Sequence, residues 1–170
     1  MWCVGSCYEG DFENGKRCGF GKLIFNPPDD QRKKLSSWVV IGEWLDGLPK
    51  TNIQWKITCD NVYEYWGYIE LDSSKSDDDI LDINDFHKTR EGELYCKPND
   101  RYFGSFVNNM KDGYGVQVFS NKNRYFGGWK EGKFHGHGTF IYYDGTMYVV
   151  CACVCICVYV CVSLRVLSVP

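Results

Sequence analysis

The stretch Tyr125-Phe126-Gly127-Gly128-Trp129-Lys130-Glu131-Gly132-Lys133-Phe134-His135-Gly136-His137-Gly138-Thr139-Phe140-Ile141-Tyr142 decides the fold. Tyr125, Gly127 and Trp129 are spaced by two, which on an extended strand places all three on one face. Gly136, Gly138, Phe140 and Tyr142 repeat that spacing on what reads as a second strand, and Lys130 to His135, with Gly132, is the link that reverses the chain. The unit is a hairpin with aromatics and glycines on one face. Its glycines leave bare backbone against which a neighbour's rings can lie flat. Gly127 and Gly138 fall on this packed face and Gly128 on the other. A branched side chain is therefore expected to cost far more at the first two.

The same grammar recurs at a step of 23. Tyr102-Phe103-Gly104-Ser105-Phe106 aligns with the start of the unit, Gly113-Tyr114-Gly115-Val116-Gln117-Val118-Phe119 with its end, and Tyr148 opens another copy. Tyr8-Glu9-Gly10-Asp11-Phe12, Gly15, Gly19-Phe20-Gly21 and Phe25 repeat it near the start of the chain. Two degenerate copies lie between. Ile41-Gly42-Glu43-Trp44 with Gly47 opens one whose Gly-x-Gly pair is missing, Thr51 and Ile53 standing there, and whose second strand reads Ile53, Trp55, Ile57. Tyr65-Trp66-Gly67-Tyr68-Ile69 opens the other, closed by Gly92, ten residues before Tyr102 as Gly115 is before Tyr125. Extra residues fall at Asn26 to Lys34, between units, and around Asp72 to Arg90, inside one link. Helix is expected only in these insertions. A lone hairpin is marginal in water, so the copies must bury their aromatic rows against one another.

Tyr-x-Gly-x-Trp/Phe-x-x-Gly followed by Gly-x-Gly, at about 23 residues per unit, resembles the MORN repeat (membrane occupation and recognition nexus). The resemblance implies an all-β, elongated array of stacked antiparallel hairpins. It has about five units, near 8–25, 40–57, 65–96, 102–119 and 125–142, with the start of another at 148. It also implies a non-catalytic scaffold or interaction module. Such modules build ciliary and flagellar assemblies, hold membrane junctions, or sit as regulatory parts beside lipid kinases, exchange factors or a methyltransferase. The candidate contact residues are the aromatics Tyr8, Phe12, Trp44, Tyr102, Phe106, Tyr125 and Trp129, although such rings also serve as core.

Composition agrees with a β-rich chain. Of 170 residues, 18 are Gly and the aromatics comprise 6 Trp, 12 Tyr and 10 Phe, a pairing that disfavours helix. The net charge of −3 gives no global drive toward nucleic acid. Charge is nonetheless uneven: acids dominate from Asp60 to Asp100 and bases from Arg101 to Tyr148. Lys111, Lys122, Arg124, Lys130 and Lys133 are the candidate contacts to anionic lipid headgroups, a weak and secondary reading. Protein partners are the primary expectation, in the cytoplasm and at the cytoskeleton or cilium, with a membrane-peripheral site as the alternative.

No catalytic constellation is legible and no cofactor is expected. His135 and His137 alternate with Gly136 and Gly138 but have no carboxylate or Cys at metal-ligand spacing. Asp77 to Asp85 lacks the central Gly and closing Glu of a calcium loop, and reads as a solvated acidic loop. Gly136-x-Gly138 has no following helix to aim amides at a phosphate. Met1-Trp2-Cys3-Val4-Gly5 lacks the basic start and apolar run of a signal peptide, so a reducing compartment and free thiols are expected.

Residue 150, where the repeat calls for Gly, is Val, and Cys or Tyr then fills every odd position from 151 to 161. A TG dinucleotide repeat read in triplets encodes such Cys/Val alternation. Residues 150–170 are therefore expected to be intron read-through that cuts the array in mid-unit. A short membrane-attached segment and a soft-metal thiol site are the alternatives.

Overall fold

Residues spaced by two around paired glycines make strands, and the computed structural model consists of them. It describes residues 5–26, 37–60, 62–71, 83 and 86–152. The strands are β1 (Gly5–Glu13), β2 (Lys16–Asn26), β3 (Trp38–Leu45), β4 (Leu48–Pro49), β5 (Trp55–Cys59), β6 (Tyr63–Leu71), β7 (Phe86–Cys96), β8 (Asp100–Val107), β9 (Met110–Val118), β10 (Arg124–Lys130), β11 (Lys133–Ile141) and β12 (Met147–Ala152). All belong to one open antiparallel sheet that follows the chain order, with β4 pairing only β3. The hairpins therefore join edge to edge, each strand but β4 lying next to the following one.

One row of the sheet carries almost no side chains. Gly10 pairs Gly21 and Gly21 pairs Gly42. Gly67 pairs Gly92, and the row runs on through Gly104, Gly115, Gly127 and Gly138 to Val150. Each repeat tyrosine lies over the glycines of its own hairpin: a Cβ at Gly127 or Gly138 would overlap the Tyr125 ring, and one at Gly104 or Gly115 the Tyr102 ring. Between β3 and β6 the row is broken by Trp55, which pairs Gly67 and lays its fully buried indole on Gly42. The glycine-equivalent position of the second unit is thus Trp55, in place of the Thr51 and Ile53 expected from the sequence. Trp55 precedes Tyr65 by ten residues, the spacing that marks Gly92, Gly115 and Gly138.

The turns beside the aromatic ends of the hairpins hold two residues. Asn14-Gly15, Asp46-Gly47, Asn108-Asn109 and Glu131-Gly132 all have positive φ at both positions, the backbone that suits the right-handed twist of a tight hairpin. The Lys130–His135 link is accordingly a two-residue turn, with Lys133 to His135 already in β11.

A register shift between Gly127 and Trp129 makes Gly128 a bulge residue, and a Cβ there would run into the His135 carbonyl. The expectation that a branched side chain costs far less at Gly128 than at Gly127 or Gly138 does not fit this packing. Strict alternation assigned it to the open face, whereas the bulge presses it against the neighbouring backbone.

The long β6–β7 hairpin shapes the core. Leu71 pairs Phe86, so the insertion expected to run to Arg90 ends at residue 85, and Phe86 to Arg90 are strand. Beyond a bulge at Gly67/Tyr68 this hairpin folds over the glycine-bearing inner face. Phe86 meets Phe25 of β2 at 5.8 Å although three long strands separate β2 from β7. Ile69, Phe86 and Ile83 thereby join Leu23, Val40, Ile57 and Tyr65 in one hydrophobic cluster. The acidic segment apart from Ile83, the 27–36 insertion with any helix in it, and the tail beyond Ala152 lie outside the described residues. The described strand β12 continues the pairing of β11 through Cys151 and Ala152.

Candidate functional site

The aromatic row is built from parts that recur along the array. Tyr65, Tyr102 and Tyr125 each donate the phenol hydrogen to a carbonyl three residues on, Tyr68, Ser105 and Gly128, beside the bulges, at 2.9–3.0 Å. Tyr8 departs from this and donates to the Cys18 carbonyl at 3.3 Å. The ring of each tyrosine then meets the edge of an aromatic from the next unit: Tyr8 with Trp44, Tyr65 with Phe106, Tyr102 with Trp129, at 5.3–5.4 Å. Such edge-on pairs contribute about 0.5–1.5 kcal/mol each beyond the area they bury.

A second strand closes the pocket from above, at one repeated position. Arg17 lies over Tyr8 and Trp44, Lys88 over Tyr63 and Tyr65, and Lys111 over Tyr102 and Trp129, at 4.7–5.9 Å from the ring centroids. In the fifth unit Phe134 takes the position and stacks on Tyr125 at 4.0 Å. Neighbouring units are also latched by backbone: the amides of Gly47, Asn109 and Gly132 donate to the carbonyls of Arg17, Lys88 and Lys111. Burial pushes the Lys88 and Lys111 ammonium pKa values down and the Tyr102 phenol up to about 12.

These contacts decide the fate of the aromatic candidates. Trp44, Tyr102, Phe106, Tyr125 and Trp129 are buried core: Tyr102 and Tyr125 lie on their own glycines, and Trp44, Phe106 and Trp129 pack edge-on against the repeat tyrosines. A partner cannot reach them without opening the sheet. The sequence left these rings either contacts or core; they lie in the core, because one side of the row supplies both rings and caps. Tyr8 is half-buried, and Phe12 stands exposed beside it.

The basic candidates are dispersed. Lys111 belongs to the inner face and donates to Gln117 at 2.5 Å. Lys130 pairs with Asp112 at 2.9 Å. Lys122 sits in the turn before β10 and Arg124 at the start of that strand. Arg124 and Lys130, with Lys133 paired beside it, stand at opposite ends of β10, roughly 20 Å apart at ~3.3 Å per residue. That is about two Debye lengths at physiological salt, so the five do not act as one patch.

The outer face holds what the repeat signature does not reveal. The register sets Trp66, Glu93, Phe103, Val116 and Phe126 in one cross-strand row, and Glu64, Tyr95, Arg101, Val118 and Arg124 in the next. Phe103 is 59% exposed, Tyr114 75%, Trp66 46% and Phe126 40%. A cleft of about 260 Å³ is lined by Glu64, Trp66, Glu93, Tyr95 and Arg101. Phe103 and Phe126 occupy the x of Tyr-x-Gly, a position the repeat pattern leaves unspecified. Their outward direction was available from alternation alone. Among the described residues no three His, Cys, Asp or Glu side chains gather where they could hold a metal.

A model of the MORN repeat family matches residues 8–27, 102–124 and 125–147. Alsin from Homo sapiens and from Mus musculus are each 40% identical to this chain over 65 residues, 35% of this chain and 4% of Alsin. Alsin from Rattus norvegicus is 40% identical over 55 residues, 29% of this chain and 3% of that protein. The chain thus spans a few per cent of the length of these relatives.

Proposed function

This chain contains MORN repeats, and from that premise we propose that it is a non-catalytic scaffold or interaction module whose protein partners dock on the outer face of the sheet. The observation that carries the reading is the set of exposed aromatics on the outer face, Trp66, Phe103 and Phe126 in one row with Tyr114 beside it, on a frame whose other face is consumed by its own core. Aromatic side chains on a rigid support lose little conformational freedom on binding and are favoured anchors at interfaces. The proposed setting is the cytoplasm, at cytoskeletal or ciliary structures. The test is proximity labelling in ciliated cells, comparing the wild type with Phe103→Glu/Phe126→Glu. A discrete set of proteins is expected to be labelled by the wild type and lost from the variant. Identical sets from two equally folded proteins would overturn the reading.

A second reading has its own support in the share of Alsin that the chain spans: the array as a regulatory module of a larger MORN-containing enzyme or exchange factor. Peripheral phosphoinositide binding is the weaker lipid alternative, resting on Lys122, Arg124 and Lys133. Co-sedimentation with phosphoinositide vesicles that weakens as salt rises and is lost on charge reversal at Lys122, Arg124 and Lys133 would favour it over a protein partner.

A further inference from the structure

The outer face is divided by charge as well as lined with rings. Strands β6 and β7 present Glu64, Glu91 and Glu93, while β8 and β10 present Arg101 and Arg124. Lys56 of β5 stands on this face too, its ammonium 3.4 Å from Glu64 and 4.5 Å over the Trp66 ring, while the Trp66 indole N–H donates to Glu64 at 2.5 Å. Both partners keep an exposed side, and the row stands open to solvent or half-covered. Such a face is complementary to itself when turned about an axis along its strands.

We propose that this face binds a second copy of the same chain, giving a two-fold sheet-on-sheet dimer. The proposal rests on the reading that the outer face is the docking surface, and it names the occupant. An axis parallel to the strands and running over β8 sets β8 on itself, β7 opposite β9 and β6 opposite β10. Residues of one cross-strand row then stay in that row. Trp66 meets Phe126 of the second copy, Phe103 meets its own counterpart, and Glu64 meets Arg124. The off-axis contacts occur twice because the interface is isologous. Facing sheets lie about 10 Å apart, a gap that interdigitated Trp and Phe side chains fill. One like-charge meeting results, Arg101 against Arg101 near the axis. Each is turned onto its own Tyr95 ring at 5.4 Å, and Glu93 of the adjacent strand lines the same cleft. The end of β6 beyond its bulge folds toward the inner face and takes no part.

The experiment is sedimentation equilibrium of the full chain, with reductant present to keep the cysteines from cross-linking. The wild type is expected to pass from monomer to dimer as concentration rises, and to dissociate as salt is added. Phe103→Glu should stay monomeric, with an unchanged circular dichroism spectrum. Glu64→Arg and Arg124→Glu should each weaken the dimer about tenfold or more, and the double exchange should restore it, because the pair crosses the interface. A wild type that stays monomeric at about 100 μM in low salt, or single charge variants that dimerise like the wild type, would overturn the proposal. If the chain is monomeric yet Phe103→Glu/Phe126→Glu still loses its labelled partners, the docking face stands and its occupant is a different protein. If both dimer and partners survive that variant, the docking face itself is wrong.

Discussion

A single position shows how far the local pattern overrides the repeat rule. Trp55 stands in the glycine row, fully buried, with its ring where Gly42 offers bare backbone. Trp55→Gly makes the row regular and is nevertheless expected to destabilise the chain by about 3–5 kcal/mol, the cost of emptying a buried indole site. A thermal melt of the variant at or above the wild-type temperature would contradict this. Gly128 makes the opposite point. Gly127→Val, Gly128→Val and Gly138→Val are expected to lose stability to a comparable degree, because the first and third overlap the Tyr125 ring and the second the His135 carbonyl. A near-neutral Gly128→Val in denaturant unfolding would remove the bulge from this description. The buried phenols set an alkaline limit. Tyr102 ionises at about 12 in the folded chain against 10.0 when free, so the folded state keeps a proton that the unfolded state releases. Its contribution is complete below pH 10 and falls as pH rises toward about 12. Lys88 and Lys111 act with the opposite sign, since burial lowers both, and their effect is spent once the free lysine value of 10.5 is passed. The urea midpoint is therefore expected to drop between about pH 10.5 and 12, and a flat midpoint there would contradict the burial of these tyrosines.

Among the elements, the tight hairpins were legible and their irregularities were not. Period-two glycines and aromatics gave the strands, their order and the inner face, because both patterns are imposed by the pleat itself. The bulges, the end of the insertion at residue 85 and the placement of Trp55 depend on which carbonyl meets which ring across strands, which no single strand encodes. The outer-face rings went unremarked for a different reason: alternation turns them outward, but a position that any residue can fill carries no repeat signature, though its exposed rings shape the surface most. The fifth unit's turn offers a direct check at this scale. Glu131 holds φ near 49° next to Gly132, in a turn where other units place Asn or Asp. Glu131→Asn is expected to add up to about 1 kcal/mol, because Asn adopts this left-handed backbone at lower cost. The melting temperature should rise by about 2–4 °C. A fall would show that the Glu131 side chain matters more than its backbone.

Across the whole molecule, protection is uneven. The β6–β7 hairpin gives β2 to β7 a second layer, whereas β10 to β12 rest on ring contacts within one sheet. Native-state hydrogen exchange is expected to run fastest in β12 and slowest from β5 to β8. Uniform protection from β5 to β12 would show the array to unfold as one unit.

The strand order has a mechanical consequence. Because the strands, β4 aside, pair in sequence order, β1 and β12 form opposite edges of the sheet. Tension between them pulls each hairpin apart crosswise, rupturing its backbone hydrogen bonds one after another instead of shearing all together. The array would lengthen under load in small steps at low force, starting at β12 and stalling where the β6–β7 hairpin clasps β2. A tether of this kind between two anchored structures would behave as a compliant spring with a stiff inner stop.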